Sequence, residues 1–152
     1  MQLKMDIDLV RKGVTKMSIW THVAAVFRID GIQKYGAELD WDKLIGKECL
    51  WESDDKVWDD YKKNPQDYLP MGSEGSLQKS VWVNPDGSSL AAYTVTVFGD
   101  LRDYSNLDKI VDWFKNTCAK FWIRQAVITV TNGMETKTYY YKEDNVFGCA
   151  DD

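Results

Sequence analysis

His22 is the only histidine in a chain of 152 residues. Any hydrolytic base or metal site that uses an imidazole has to use it. It lies in Ile19–Asp30, IWTHVAAVFRID, on the same strand face as Trp20, Val26 and Arg28. Two readings stand side by side: a general base or ligand-binding donor, or a hydrogen-bonded histidine on a sheet face. The chain has no HExxH, no CxxC and no pair of histidines at metal spacing, so no metal site is assigned.

Gly72-Ser73-Glu74-Gly75-Ser76 is the second candidate. Its glycines and serines suit a backbone nest for a phosphate or carboxylate, although Glu74 would repel an anion. It lacks the lysine of a Walker loop and the spacing of a nucleophile elbow, and a strand follows it. The plain alternative is a turn entering that strand. Asp100-Leu101-Arg102-Asp103-Tyr104 is the third. Arg102 could fork onto an anionic group of a ligand or partner, near a helix N-terminus. Equally, Arg102 and its flanking aspartates could satisfy one another and fix the loop. Asp100 and Asp103 could instead hold Mg²⁺, although two carboxylates without further matched ligands are a weak signal. No residue is assigned a catalytic role, and no cofactor is expected.

The fourth candidate is a surface. Residues 38–74 hold eleven acids against five lysines, a net of −6 in a chain whose total is −5. The rest of the chain is therefore +1. The same stretch carries Trp41, Trp51, Trp58, Tyr61 and Tyr68. Aromatic anchors among charges are the composition of a recognition surface. The expected contacts are Trp51, Asp54, Asp55, Trp58, Asp59 and Asp60, with Ser73, Glu74, His22, Arg102 and Asp103 as the second group. Such an acidic face complements a basic, nucleic-acid-binding groove on a partner. The competing reading is a solvated loop whose tryptophans cover the helix layer.

The elements that must position these residues follow from periodicity. Ile19–Asp30 alternates as a first strand. A short helix is expected within 39–45, and a helical turn or two near 54–62 inside a long loop at 46–76 marked by Pro65, Pro70, Gly72 and Gly75. Leu77–Val83 and Leu90–Gly99 form a hairpin across the turn Asn84-Pro85-Asp86-Gly87. Ser105, with Asp108 three residues on, predicts a capped amphipathic helix over 106–120. Ile123–Thr131 and Thr136–Lys142 form a last hairpin around Asn132-Gly133. The order β-α-β-β-α-β plus one strand predicts an α+β, ferredoxin-like antiparallel sheet with the helices on one face. The domain spans 17–144, between an extension at 1–16 and a tail at 145–152. The open face should show Trp82, Thr94, Thr96 and Phe98, and a homodimer could pair two such faces.

Four strings carry a resemblance: WTHVAAVFRIDG (20–31), MGSEGSL (71–77), VFGDLRDY (97–104) and WFKNTCAKFWIRQAV (113–127). Over about 17–142 the chain resembles a group of small proteins encoded by bacteriophages and prophages. The resemblance implies a phage-carried accessory protein and brings no activity or catalytic residue with it. Small phage accessory proteins often antagonise host defence, including by inhibiting CRISPR nucleases or sequestering signalling nucleotides.

The composition sets the bounds. With 44% hydrophobic residues and seven tryptophans the chain buries a core and is not disordered. No 18-residue apolar run exists, so no membrane span is expected. A net charge of −5 argues against direct nucleic-acid binding. Residues 1–17 lack the apolar core of a signal peptide, and three widely spaced cysteines suit a reducing compartment, so the expected location is the cytoplasm of a bacterial host. The favoured reading is a non-enzymatic anti-defence binding protein, anti-CRISPR-like, acting through the acidic tryptophan-rich surface. The alternatives are a protein that binds or sequesters a small nucleotide, or a minor enzyme, with a pocket near His22 and Arg102. A structural phage component is a third.

Overall fold

The computed structural model describes residues 18–30, 39–83, 91–104 and 106–141, without the side chains of Ala91 and Ala92. The expected extension 1–16, the turn 84–87, the cap Ser105 and the tail 145–152 lie outside them. The chain is α+β. Strands β1 (Trp20–Asp30), β2 (Leu77–Val83), β3 (Ala91–Arg102), β4 (Ile123–Thr131) and β5 (Thr136–Tyr140) form one sheet in the order β2-β3-β1-β4-β5. Every neighbouring pair is antiparallel. Among the described residues three α-helices accompany it: α1 (Trp41–Leu44), α2 (Asp55–Lys63) and α3 (Leu107–Cys118), with a 3-10 turn at Pro65–Asp67.

Period-two alternation gives the sheet one apolar face. Val23, Ala25, Phe27 and Ile29 of β1 are buried, as are Val95, Val97 and Leu101 of β3 and Ala126, Ile128 and Val130 of β4. α3 lays Leu107, Ile110, Val111, Phe114 and Cys118 into the same core. Their i, i+3, i+4, i+7 spacing puts them on one stripe. Phe114 stacks obliquely on Phe27 at 4.9 Å between ring centres and meets Tyr139 edge-on at 6.1 Å. Asn106 caps the helix, its side-chain oxygen accepting from the amides of Asp108 and Lys109.

The excursion between β1 and β2 docks on that core rather than hanging free. Ile45, Cys49, Tyr68 and Leu69 are buried. The Trp41 ring packs against Tyr93 and Phe121. Lys79 of β2 reaches in and donates to Asp42 at 2.6 Å and to the Gly46 carbonyl at 2.9 Å. The expected long loop is therefore partly structured, and α2 falls where a turn or two was expected.

β3 runs three residues beyond its expected end at Gly99. Pairing with β1 continues to Trp20 opposite Arg102, and Leu101 needs the core. Gly99 is not a strand terminator but a point of close approach. A β-carbon there would stand 2.4 Å from the Ser76 carbonyl oxygen. Its φ of 154° also disfavours a side chain.

Candidate functional site

The β1–β3 register assembles one corner from three separate sequence segments. His22 lies opposite Asp100, and Trp20 opposite Arg102, all on the face away from α3. The His22 Nδ1 and Asp100 Oδ1 atoms are 2.5 Å apart, and both side chains are more than half exposed. The loop before β2 then closes over the end of β3. The Ser73 amide donates to the Arg102 carbonyl at 3.0 Å, and the Arg102 amide to the Glu74 carbonyl at 2.9 Å. This approach requires glycine: a β-carbon at Gly75, whose φ is 79°, would lie 2.1 Å from the Asp100 carbonyl oxygen.

Arg102 is fully engaged at this corner. Its Nη1 donates to Glu74 Oε1 at 2.5 Å, and its Nε to Ser18 Oγ at 2.8 Å. Asp103 Oδ2 lies 3.7 Å from Nε and accepts from Ser73 Oγ at 2.9 Å. The guanidinium is thus held inside the protein, but by Glu74 and Ser18 rather than by the flanking aspartates of the plainer sequence reading: Asp100 pairs with His22, and Asp103 stands 3.7 Å off. His22, Ser73, Glu74, Asp100, Arg102 and Asp103 do come together, so the GSEGS loop and the GDLRDY strand end form one cluster. Ser18 and Trp20 belong to it as well. Reasoning from local spacing missed them because only the register across two strands brings them in.

The acidic excursion divides into acids held inside the fold and acids turned outward. Asp60 accepts from the Tyr68 hydroxyl at 2.6 Å, from Asn64 Nδ2 at 3.1 Å and from Lys47 Nζ at 3.2 Å. These donors, the tyrosine first, hold its carboxyl below the usual carboxylate range. The same bond, with burial, pushes Tyr68 up to about 12. Asp42 and Glu48 both reach the Lys79 ammonium. Asp40 and Asp54 cap α1 and α2, accepting from the Lys43 and Val57 amides.

The acids that remain outward are Glu52, Asp55, Asp59 and Asp67, with the exposed Lys56, Lys62 and Lys63 of α2 among them. Trp51 stands 90% exposed in the turn before α2. Glu52, Asp55 and Asp59 are exposed beside it, and Trp58 is half-buried against Tyr61. An exposure of 90% means the indole has no packing role in the isolated chain. Among the described residues this patch shares no hydrogen bond, ion pair or ring contact with the Arg102 corner.

Two shallow cavities, about 480 and 410 Å³, flank Lys47 and Tyr68. Lys43, Lys47 and Lys120 alternate with Asp40, Asp42 and Asp67 around the first, so neither sign of charge dominates. Neither cavity is lined by His22 or Arg102. Among the described residues no group of three or more His, Cys, Asp or Glu is placed to hold a metal ion, and no helix is long and apolar enough to cross a membrane. No protein-family model, no curated protein and no solved structure matches the chain.

Proposed function

We propose that this chain is a non-enzymatic binding protein that docks on a partner through Trp51 and the outward acids Glu52, Asp55 and Asp59. The observation that carries this is Trp51, 90% exposed at the head of α2. A large indole held in water contributes nothing to the fold, whereas its burial in a partner's pocket removes about 200 Å² of apolar surface from solvent. The acids around it complement a basic groove and steer association in a salt-dependent way. A nucleic-acid-binding protein of a bacterial defence system offers such a groove. The resemblance to phage proteins supplies that partner class, and with it the bacterial cytoplasm as the place of action. The scaffold reads as a ferredoxin-like sheet widened by β5. The order β2-β3-β1-β4 and its antiparallel pairing support that reading.

The structure also refines which acids to test. Asp54 caps α2 and Asp60 ties α2 to Tyr68, so charge reversal at either would disturb the fold. The informative variants are Trp51→Ala and the triple Glu52→Lys, Asp55→Lys, Asp59→Lys. The tagged chain is incubated with bacterial lysate at low and high salt, and the bound proteins are identified by mass spectrometry. Stoichiometric capture of a nucleic-acid-binding host protein, lost in high salt and in both variants, is the expected result. Capture that is unchanged in both variants removes the patch from the interface. A chain that captures nothing but melts higher with a nucleotide would replace this reading with ligand sequestration.

A further inference from the structure

The sheet face turned away from α3 is uncovered among the described residues. The register sets Ala24 between Phe98 and Thr129, and Val26 between Thr96 and Val127, with Tyr140 next to Val127. With Gln78, Ser80 and Thr138 completing them, these rows make a half-apolar belt across the sheet, carried by Ala24, Val26, Phe98, Val127 and Tyr140, in which Phe98 is 52% and Tyr140 64% exposed. Arg28 flanks the belt on one side, and the His22–Asp100 pair flanks it on the other. Arg28 is exposed and has no ion pair among the described residues.

We propose that a second copy of this chain covers this face. A two-fold axis in the interface plane, perpendicular to the strands and between the Ala24 and Val26 rows, lays each belt on the other. That operation is isologous and closed. It also brings Arg28 of each copy over His22 of the other, one strand spacing of about 4.8 Å from Asp100 and within reach of the long arginine side chain, and this charge complementarity selects a second copy as occupant. Within one chain Arg28 and Asp100 cannot meet. They are six strand residues apart along β1 and β3, about 20 Å at roughly 3.3 Å per residue. The excursion that carries the net charge packs with the core, through Ile45 and Leu69. Like copies therefore approach through a face that is nearly neutral.

The area is sufficient. Five strands about 4.8 Å apart and about eight residues long cover roughly 600 Å² per copy. Two copies bury about 1,200 Å², the lower end of the range for specific interfaces. Aligned sheets pack face to face with an interior about 10 Å thick, which the belt side chains fill.

The test is sedimentation equilibrium of the full chain from micromolar to near-millimolar concentration. A concentration-dependent monomer–dimer equilibrium is expected. Arg28→Asp and Asp100→Arg should each weaken it about tenfold or more, and the double variant should recover most of that loss. Thr96→Arg, in the middle of the belt, should give a monomer with the wild-type circular dichroism spectrum. A wild-type chain that stays monomeric throughout overturns the proposal without recourse to any variant. A dimer indifferent to Arg28→Asp and Thr96→Arg, or a double variant weaker than both single ones, overturns it as well.

Discussion

The Tyr68 hydroxyl donates to an Asp60 carboxylate oxygen at 2.6 Å, and this bond fastens α2 to the segment that follows it. Lys47 joins from the other side, bonding the same carboxylate and lying 5.6 Å from the centre of the Tyr68 ring. The backbone agrees: the Lys47 amide donates to the Asp67 carbonyl, and the Leu69 amide to the Lys47 carbonyl, each at 2.9 Å. One acid of the acidic surface is therefore a structural pin. The outward patch around Trp51 rests on it.

The pin has a pH signature. The folded state holds the Asp60 carboxyl below its ordinary 3.8. Its contribution is present above that ordinary value and lost as pH falls through the lower, folded one. Asp60→Asn should therefore reduce the urea midpoint most at neutral pH, with the gap to wild type closing below about pH 4. A gap that stays constant from neutral to acid pH would refute the role of the charge.

The partner titrates at the other end of the scale. Tyr68 is pushed from 10 to about 12 by the bond to Asp60 and by burial. Protonated Tyr68 contributes fully below pH 10, and that contribution is lost as pH rises through about 12. An ultraviolet titration of the folded protein should show one phenol ionising near that value, absent in Tyr68→Phe. Loss of no late phenol in Tyr68→Phe would count against the assignment.

Much of the scaffold is legible from the sequence, because it rests on local patterns. The alternation from Thr21 to Ile29 fixes which face of β1 is buried. The stripe from Leu107 to Cys118 fixes the face of α3. The site is less legible, because tertiary contacts decide it. Nothing in spacing separates Asp60 from Asp59, yet one is pinned by Tyr68 and the other faces water. Lys79 reads as an ordinary strand lysine until Asp42 and Glu48 are seen to meet it. Gly99 looks like the end of β3 until the approach of Ser76 explains it. Arg102 invites a ligand in the sequence and finds Ser18 and Glu74 in the fold.

Gly99 gives the most direct backbone test. Gly99→Ala adds a β-carbon 2.4 Å from the Ser76 carbonyl oxygen and 3.1 Å from the Leu77 α-carbon. Backbone atoms of a paired strand cannot move aside cheaply. The φ of 154° adds strain of its own. The expected loss is about 1–3 kcal/mol in equilibrium denaturation. A loss below the error of the measurement would mean that β2 and β3 are not as close at this point.

Arg102 separates charge from geometry. The guanidinium spans Ser18, Glu74 and the neighbourhood of Asp103 at once. A lysine keeps the charge but cannot fork between the serine and the glutamate. Arg102→Lys should therefore lose most of what Arg102→Ala loses, about 1–2 kcal/mol for a partly exposed group. Equal stability of wild type and Arg102→Lys would show that only charge matters at this corner.

The thiols report on the core without any change to it. Cys118 is fully buried on α3 and Cys49 is buried in the excursion. Burial alone raises both thiols, Cys118 to about 12. The reactive species is the thiolate, so both should resist a disulfide reagent at neutral pH by two separate causes, low thiolate fraction and lack of access. In a Cys149→Ser background only these two remain. Their labelling should then proceed through opening of the fold. If the excursion opens before the sheet, Cys49 labels ahead of Cys118, because the residues around it close on Tyr68 and Lys79 rather than on the sheet core. That order, followed by mass spectrometry of digested protein, tests whether α2 and its pin form a separately opening unit. Simultaneous labelling at the rate of global unfolding would show instead that the excursion is bound into the cooperative core.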